Sequence, residues 1–364
     1  MKKHLRFFSI ILILVIMLVF SGATANSLVP LYCDNGTVIE VDKNKINEYL
    51  NNGYYKSRSD AVVTLYAPDG KTLDVYRSEE EVYLSLGWYK TYEEVTERLY
   101  DYDGNSVILY LSEIDDVIKQ GWYHRYEDAV TTVYAYDNSP KEIFKGQLYA
   151  HLNGGYRLNP SPDPSKPTVA FTFDDGPHPS NTKVIIDILK KYNSTATFYT
   201  LGNLASRYPN IVKYTVDNGM EIASHTYAHA KLTSLSLTNL LADIGNASSS
   251  IYNACGVYPK TLRPPYGATN DTVKYNAGLP LVLWSVDTLD WKHRNAQIVS
   301  DYILNTVKDG DIVLLHDIHQ TTAEAMKIVI PELTNRGFNI VSVSTLALMK
   351  GINLSAGNVY TRLK

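Results

Sequence analysis

Phe171-Thr172-Phe173-Asp174-Asp175-Gly176-Pro177 is the stretch on which the reading of the chain turns. Val169, Phe171 and Phe173 alternate with Ala170, Thr172 and Asp174, the period of two of a β-strand. Gly176-Pro177 then punctuates a turn. Two carboxylates therefore stand where a buried strand gives way to a loop, the end at which α/β barrels keep their reactive groups. Neighbouring strand residues face opposite ways, so a curl at Gly176 is expected to bring Asp174 and Asp175 to one site. Two carboxylates that close do not both ionise comfortably unless a cation sits beside them. Taken alone, Asp-Asp-Gly is equally the sequence of a solvated turn, and the surrounding chain has to decide.

Downstream of this strand, short apolar runs at 195–200, 221–224, 281–286, 311–315 and 338–343 alternate with helical patterns at 182–192, 236–252, 295–307 and 321–336. That alternation predicts a parallel sheet closed into a barrel. The third run ends on a second constellation, His225-Thr226-Tyr227-Ala228-His229. Histidines at i and i+4 would share one helical face, about 5–6 Å apart at their β-carbons. With Asp175 they make a two-histidine, one-carboxylate set. Three protein ligands with an open fourth position suit a catalytic zinc, and the same triad holds iron or cobalt.

Five motifs in order resemble those of the polysaccharide deacetylases, the NodB-homology enzymes of carbohydrate esterase family 4. They are T-F-D-D-G at 172–176, H-T-x-x-H at 225–229, Arg263-Pro264-Pro265-Tyr266, Asp287-Thr288-Leu289-Asp290-Trp291 and Leu314-Leu315-His316. The resemblance covers roughly 165–350. It implies a distorted (β/α) barrel and metal-dependent removal of acetyl groups from sugars. It further implies that Asp175, His225 and His229 hold a divalent metal, zinc first and cobalt as the other candidate. Asp174 would be the base that deprotonates the attacking water, held as a carboxylate by Arg263. Tyr266, through its backbone N–H, would stabilise the oxyanion. His316 would protonate the leaving amine, its basicity raised by Asp290. Trp291 and Leu314 would wall the pocket for the acetyl methyl. Asp287 reads as a strand-end support, and His178, His293 and His319 as solvated loop histidines.

The N-terminal third has another logic. From about 31 to 156 the chain repeats every 34 residues, with Gly53, Gly87, Gly121 and Gly155 each followed by an aromatic: Tyr54, Trp88, Trp122 and Tyr156. Asn35-Gly36, Asp69-Gly70, Asp103-Gly104 and Asp137-Asn138 mark hairpin turns at the same period. Ser78 with Glu81 and Ser112 with Asp115 read as helix N-caps, and Gly87 and Gly121 as left-handed C-caps. Each unit is thus expected to be ββα, giving a small α+β region ahead of the barrel. The turn-bearing strands exclude the all-helical tetratricopeptide repeat, which shares the period. Eighteen of the 29 tyrosines lie between 31 and 160, enough to build a small core in each unit. Aromatic faces also stack on sugar rings, and Lys56, Lys90 and Arg125 beside them suit an anionic wall polymer. Residues 159–167, with four prolines in nine positions, read as an extended spacer before a catalytic domain at 168–350.

Lys2, Lys3 and Arg6 precede an apolar run from Phe7 to Phe20, and Ala23-Thr24-Ala25 suits a signal peptidase. The 14-residue run is short of a membrane span, which needs about 20. Residues 1–25 are therefore expected to be a signal peptide, and the mature protein to be secreted to the cell surface or wall. Its loss moves the formal charge from −4 to −7, because these residues contain no acid. An acidic chain argues against nucleic acid as a partner. Cys33 and Cys255 make neither a metal motif nor a disulfide framework; one long-range disulfide and two free thiols both stay open. An Asp174–Asp175 glycosidase pair would need carboxyls ~5 or ~6.5–9.5 Å apart across a sugar, which adjacent residues sharing a metal do not offer. A binding protein with an inactive barrel would lack a ligand or the base, and none is missing. The expected function is a secreted metal-dependent deacetylase of a GlcNAc-containing polymer, peptidoglycan first, with chitin oligomers, poly-GlcNAc and acetylated xylan as alternatives.

Overall fold

The computed structural model describes residues 28–364; the expected signal peptide lies outside them. Two compact units divide at Ala129/Val130. In the first, hairpins β1 (Leu28–Tyr32) with β2 (Val38–Asp42), β3 (Val62–Tyr66) with β4 (Thr72–Tyr76), and β5 (Thr96–Tyr100) with β6 (Ser106–Tyr110) are separate antiparallel pairs. Short helices follow at Ile46–Asn51, Glu80–Ser85 and Leu111–Ile118. The turn glycines Gly36, Gly70 and Gly104 and the helix-ending Gly53, Gly87 and Gly121 all have positive φ, which only glycine adopts without cost.

The helix starts differ from expectation. Glu79 and Glu113 reach back to the backbone N–H groups of Tyr76 (3.3 Å) and Tyr110 (3.1 Å), two residues earlier than the serine-based caps. Ser78 and Ser112 instead donate their N–H groups to the previous unit's turn, at Asp34 O and Pro68 O. The tyrosines at the same positions close the joint: a Cβ on Gly36 or Gly70 would run into the ring of Tyr76 or Tyr110. Among the first three repeats the period and the contacts therefore go together, the second closing on the hairpin of the first and the third on that of the second.

The second unit begins at Val130, not after the prolines. Its first elements are β7 (Val130–Tyr134), β8 (Pro140–Phe144) and the helix Leu148–Asn153, the fourth ββα unit. Leu152 is part of the main core of the barrel, with Leu148, Tyr149 and Leu158 packed against it. Asn153 donates to Gly256 O (2.8 Å) and accepts from Tyr258 N (3.0 Å). The proline stretch lies along the barrel as well, where Asn339 Nδ2 donates to Asp163 O at 2.7 Å.

The barrel strands are β9 (Thr168–Asp174), β10 (Thr197–Thr200), β11 (Glu221–Ser224), β12 (Leu281–Val282), β13 (Val286–Asp287), β14 (Ile312–His316), β15 (Asn339–Val341) and β16 (Val359–Tyr360). They run parallel in the order β11-β10-β9-β14-β13, with β15 on the first half of β9. Leu262 bridges Ser224 to Leu281, β12 pairs with β16, and Arg362 bridges Asp311, so the sheet curls around irregularly. β9 is buried throughout: Val169, Phe171 and Phe173 face the helices, and Ala170 faces the interior with Tyr199, Val282 and Ile312. Helices at Asn181–Lys191, Leu237–Cys255, Ala296–Thr306 and Gln320–Asn335 match the four expected ones. The expected strand 281–286 is broken in two, because Leu283 N bonds to Tyr360 O while Ser285 N turns to Ile312 O. Cys33 and Cys255 are both free. Among the described residues no helix is long and apolar enough to cross a membrane.

Candidate metal and active site

The curl that joins the two aspartates lies at Asp175 itself, which adopts φ +71°, rather than at Gly176. Aspartate tolerates this left-handed region better than most side chains. Asp174 stays in register with the strand, opposite His316 of β14 and Tyr199 of β10. The H-T-x-x-H segment is a turn, not a helix: Thr226 and His229 have φ +70° and +60°, and that doubled left-handed turn is what brings both rings to one side.

Asp175, His225 and His229 converge, one ligand atom from each lying within 4.8 Å of the others. Both imidazole Nε2 atoms are 3.4 Å from Asp175 Oδ1. That is about the separation of two ligands on one tetrahedral zinc with bonds of ~2.0–2.1 Å. His225 Nδ1 lies 2.7 Å from the carbonyl oxygen of Arg263, so it carries the proton and Nε2 presents its lone pair to the site. Burial first, then the neighbouring His225, holds the His229 pKa below its usual value despite Asp175, which keeps that ring neutral as a ligand must be. Asp175 is pushed the other way: burial raises its pKa, but the histidines outweigh it and bring it to about 2. Its Oδ1 is buried without a hydrogen bond. A buried carboxylate oxygen with no hydrogen bond, facing the Nε2 atoms of two histidines, is what a cation site looks like, so the residues present fit a divalent metal.

Asp174 is held from the other side. Arg263, 0% exposed, donates from Nη1 to Asp174 Oδ1 (2.8 Å) and to Thr172 Oγ1 (2.7 Å), and from Nε and Nη2 to the carbonyls of Val282 and Leu283. The guanidinium also lies over the Tyr199 ring, 4.1 Å from its centroid. These bonds fix the arginine so firmly that Asp174 has one place to stand. Thr172 opens the T-F-D-D-G motif without a role having been read for it, and Tyr199 carries no sequence signal beyond its place on a strand.

On β14, Ile312, Leu314 and His316 alternate with Val313 and Leu315, which face the helices. His316 therefore ends the strand on the interior side. Its Nδ1 lies 2.8 Å from Asp290 Oδ1, and Asp290 also accepts from His316 N and Thr322 Oγ1. Burial alone would lower the His316 pKa; the Asp290 bond and charge, with Asp174 and Asp175, overcome it and raise it to about 9. Tyr266 has φ +63° and is 69% exposed, its ring edge-on to His229 at 4.7 Å. Trp291 is 47% exposed, and Leu314 is buried. Asp287 accepts from Leu289 N, as a strand-end support does. His319 departs from expectation: it is buried and paired with Arg294 Nη1, because it stands where the helix Gln320–Asn335 begins. His178 Nδ1 accepts from Asn181 N at 3.1 Å, just ahead of a helix, while His293 is exposed.

An α/β barrel with a two-histidine, one-aspartate cluster, a second aspartate clamped by arginine and a histidine–aspartate pair defines the class of metal-assisted hydrolases. Residues 161–280 match the polysaccharide deacetylase family. The chain is 35% identical over 190 residues to a peptidoglycan-N-acetylglucosamine deacetylase of Bacillus cereus, spanning 50% of this chain and 89% of that protein. It is 40% identical over 192 residues to the peptidoglycan-N-acetylglucosamine deacetylase PgdA of Listeria monocytogenes, across 53% of this chain and 41% of PgdA, so it spans about two fifths of that relative. Among solved structures, a family 4 acetyl xylan esterase from Clostridium thermocellum in complex with a cobalt ion superimposes with a TM-score of 0.52 at 32% identity, covering 54% of this chain and 98% of the esterase. The chain belongs to the polysaccharide deacetylase family.

Proposed function

We propose that this chain is a secreted, metal-dependent hydrolase that removes N-acetyl groups from a GlcNAc-containing polymer, peptidoglycan first. The observation that carries the reading is the unbonded Asp175 oxygen between the Nε2 atoms of His225 and His229, with Asp174 and His316 on paired strands beside it. A divalent ion there, zinc in our reading and cobalt as its substitute, supplies a Lewis acid that acidifies water and polarises an acetyl carbonyl. Asp174, held in place by the Arg263 hydrogen bond, takes the proton of the attacking water. The Tyr266 N–H donates to the oxyanion, a contact typically worth about 3 kcal/mol. His316, protonated at neutral pH, gives its proton to the leaving amine. Trp291 and Leu314 flank the acetyl methyl. The similarity to peptidoglycan deacetylases favours wall glycan among the candidate polymers. Incubation of purified protein with peptidoglycan, chitin oligomers, poly-GlcNAc and acetylated xylan, followed by mass spectrometry, tests this. Loss of one acetyl per modified sugar from peptidoglycan is expected; loss only from xylan would reassign the substrate.

We further propose that the repeat tethers the enzyme to the wall. Trp88 and Trp122 are half-buried, and Trp88 packs edge-on to Tyr83, so part of the Trp88 ring serves its unit's own core. Lys90 and Arg125 are engaged by Glu80 and Asp128, which leaves the aromatics as the supporting feature. Trp88→Ala with Trp122→Ala should reduce co-sedimentation with purified wall while circular dichroism stays native. Unchanged sedimentation would make the region a spacer or a protein-docking surface.

A further inference from the structure

The metal carboxylate and the general acid come from different strands. Asp175 lies in the loop after β9 and His316 at the end of β14. Beyond that ladder, side-chain bonds join the two loops. Thr182 Oγ1 accepts from His178 N at 2.8 Å and donates to Asp317 Oδ2. Asn181 Nδ2 donates to Ile318 O at 3.2 Å. Asp317 is 1% exposed, and its carboxylate lies against Gly176, where a Cβ would fall on both oxygens. Its Oδ1 has no hydrogen-bond partner. Burying a carboxyl group with so few bonds is unfavourable, and no step of the chemistry uses Asp317.

We infer that Thr182 and Asp317 form a brace that sets the distance between the metal centre and His316, which makes both of them positioning residues. The inference rests on the roles proposed for Asp175, His225, His229 and His316. The groups on β9 and on β14 act at opposite sides of the scissile C–N bond, so their separation has to match the substrate. A misplacement of about 1 Å can cost on the order of 100-fold in rate. Gly176 lets the carboxyl sit beneath the metal loop, and Thr182 stands in the first turn of the helix Asn181–Lys191, so the brace anchors that loop at its far end.

The test uses the full chain loaded with cobalt. Paramagnetic shifts of the His316 ring protons report their distance from the ion without any substrate. Thr182→Val keeps the side-chain shape and removes the hydroxyl; Thr182→Ser keeps the hydroxyl. Thr182→Val should change the His316 shifts and lower kcat on a soluble GlcNAc oligomer about ten-fold, with KM and cobalt content unchanged, and Thr182→Ser should restore both. Asp317→Ala removes the acceptor without touching Thr182; it should change the His316 shifts and lower kcat as Thr182→Val does, and covers the case in which the valine variant fails to fold. Unchanged His316 shifts in Thr182→Val or in Asp317→Ala, or an equal loss of cobalt affinity and kcat, would overturn the brace. Absence of acetate release by the wild type would refute the proposed function, while the His316 shifts still decide the brace.

Discussion

Arg263 Nη1 donates to Asp174 Oδ1 at 2.8 Å, with neither side chain appreciably exposed to solvent. A pair this deep is not chosen for stability, because desolvating two charges consumes most of their attraction. Its effect is to fix where the Asp174 carboxylate stands beside the metal ligands. Removing one partner strands the other: Arg263→Met is expected to destabilise the protein by about 3–5 kcal/mol in urea unfolding. A loss below about 1 kcal/mol would mean that Asp174 has another partner.

Asp174 and Asp175 are adjacent yet face different neighbours, so their amides should fail differently. Asp174→Asn is expected to retain stoichiometric zinc and lose about 100- to 10,000-fold in kcat, the range of a lost general base. Asp175→Asn and His225→Ala should lose zinc itself, one of three protein ligands in each case. Zinc content by atomic absorption after gel filtration, alongside acetate release, separates the two. Equal zinc loss in both aspartate variants would contradict the division of roles.

His316 and Asp290 make a prediction in pH. With its pKa raised to about 9, His316 keeps its proton through neutral pH, so kcat/KM should fall as pH rises through about 9. Asp290→Asn removes the dominant favourable partner, leaves burial to act, and should move that alkaline limb towards acid. The sign for stability follows from the same shift. The pair's contribution is full below the unfolded histidine value of about 6.5 and is lost as pH rises towards 9. Urea midpoints of wild type and Asp290→Asn should therefore converge at high pH; a constant gap would place the stabilisation elsewhere.

Which parts of this were legible in the sequence follows from range. β9 and the four long helices rest on local alternation, and the N-terminal hairpins on their turn residues, and they stand where expected. The metal triad was legible because one aspartate and two histidines stand in motif spacing, although the local shape was not. A two-histidine i, i+4 pattern looks helical, and only tertiary bonds such as Asn203 N to Tyr227 O hold it as a turn. The break at Leu283 and the burial of His319 depend on partners far away in the chain, Tyr360 and Arg294. The helices Gly202–Arg207 and Pro209–Asp217 were missed despite proline at a helix start in the second.

The boundary between repeat and barrel is the reading that changes most in consequence. Prolines between 159 and 167 suggest a spacer, and a catalytic fragment cut at 165 would follow from it. The structure instead puts Leu152 of the fourth ββα unit in one core with Val216, Met220 and Val257. Tyr149 adds a hydrogen bond to Asp217 at 2.6 Å. Cutting at 165 would remove all of these and bare the apolar patch beneath them. Residues 130–364 are therefore expected to fold and to deacetylate soluble oligomers at the rate of the whole chain, whereas 165–364 should be unstable or aggregate. Leu152→Ala tests the same contact without truncation and should cost about 2–5 kcal/mol, the usual range for a buried leucine. Urea unfolding of the three proteins, read beside their kcat, decides the point. If 165–364 unfolded at the same urea concentration as 130–364, the fourth unit would be a passenger on the barrel and the boundary would return to the prolines.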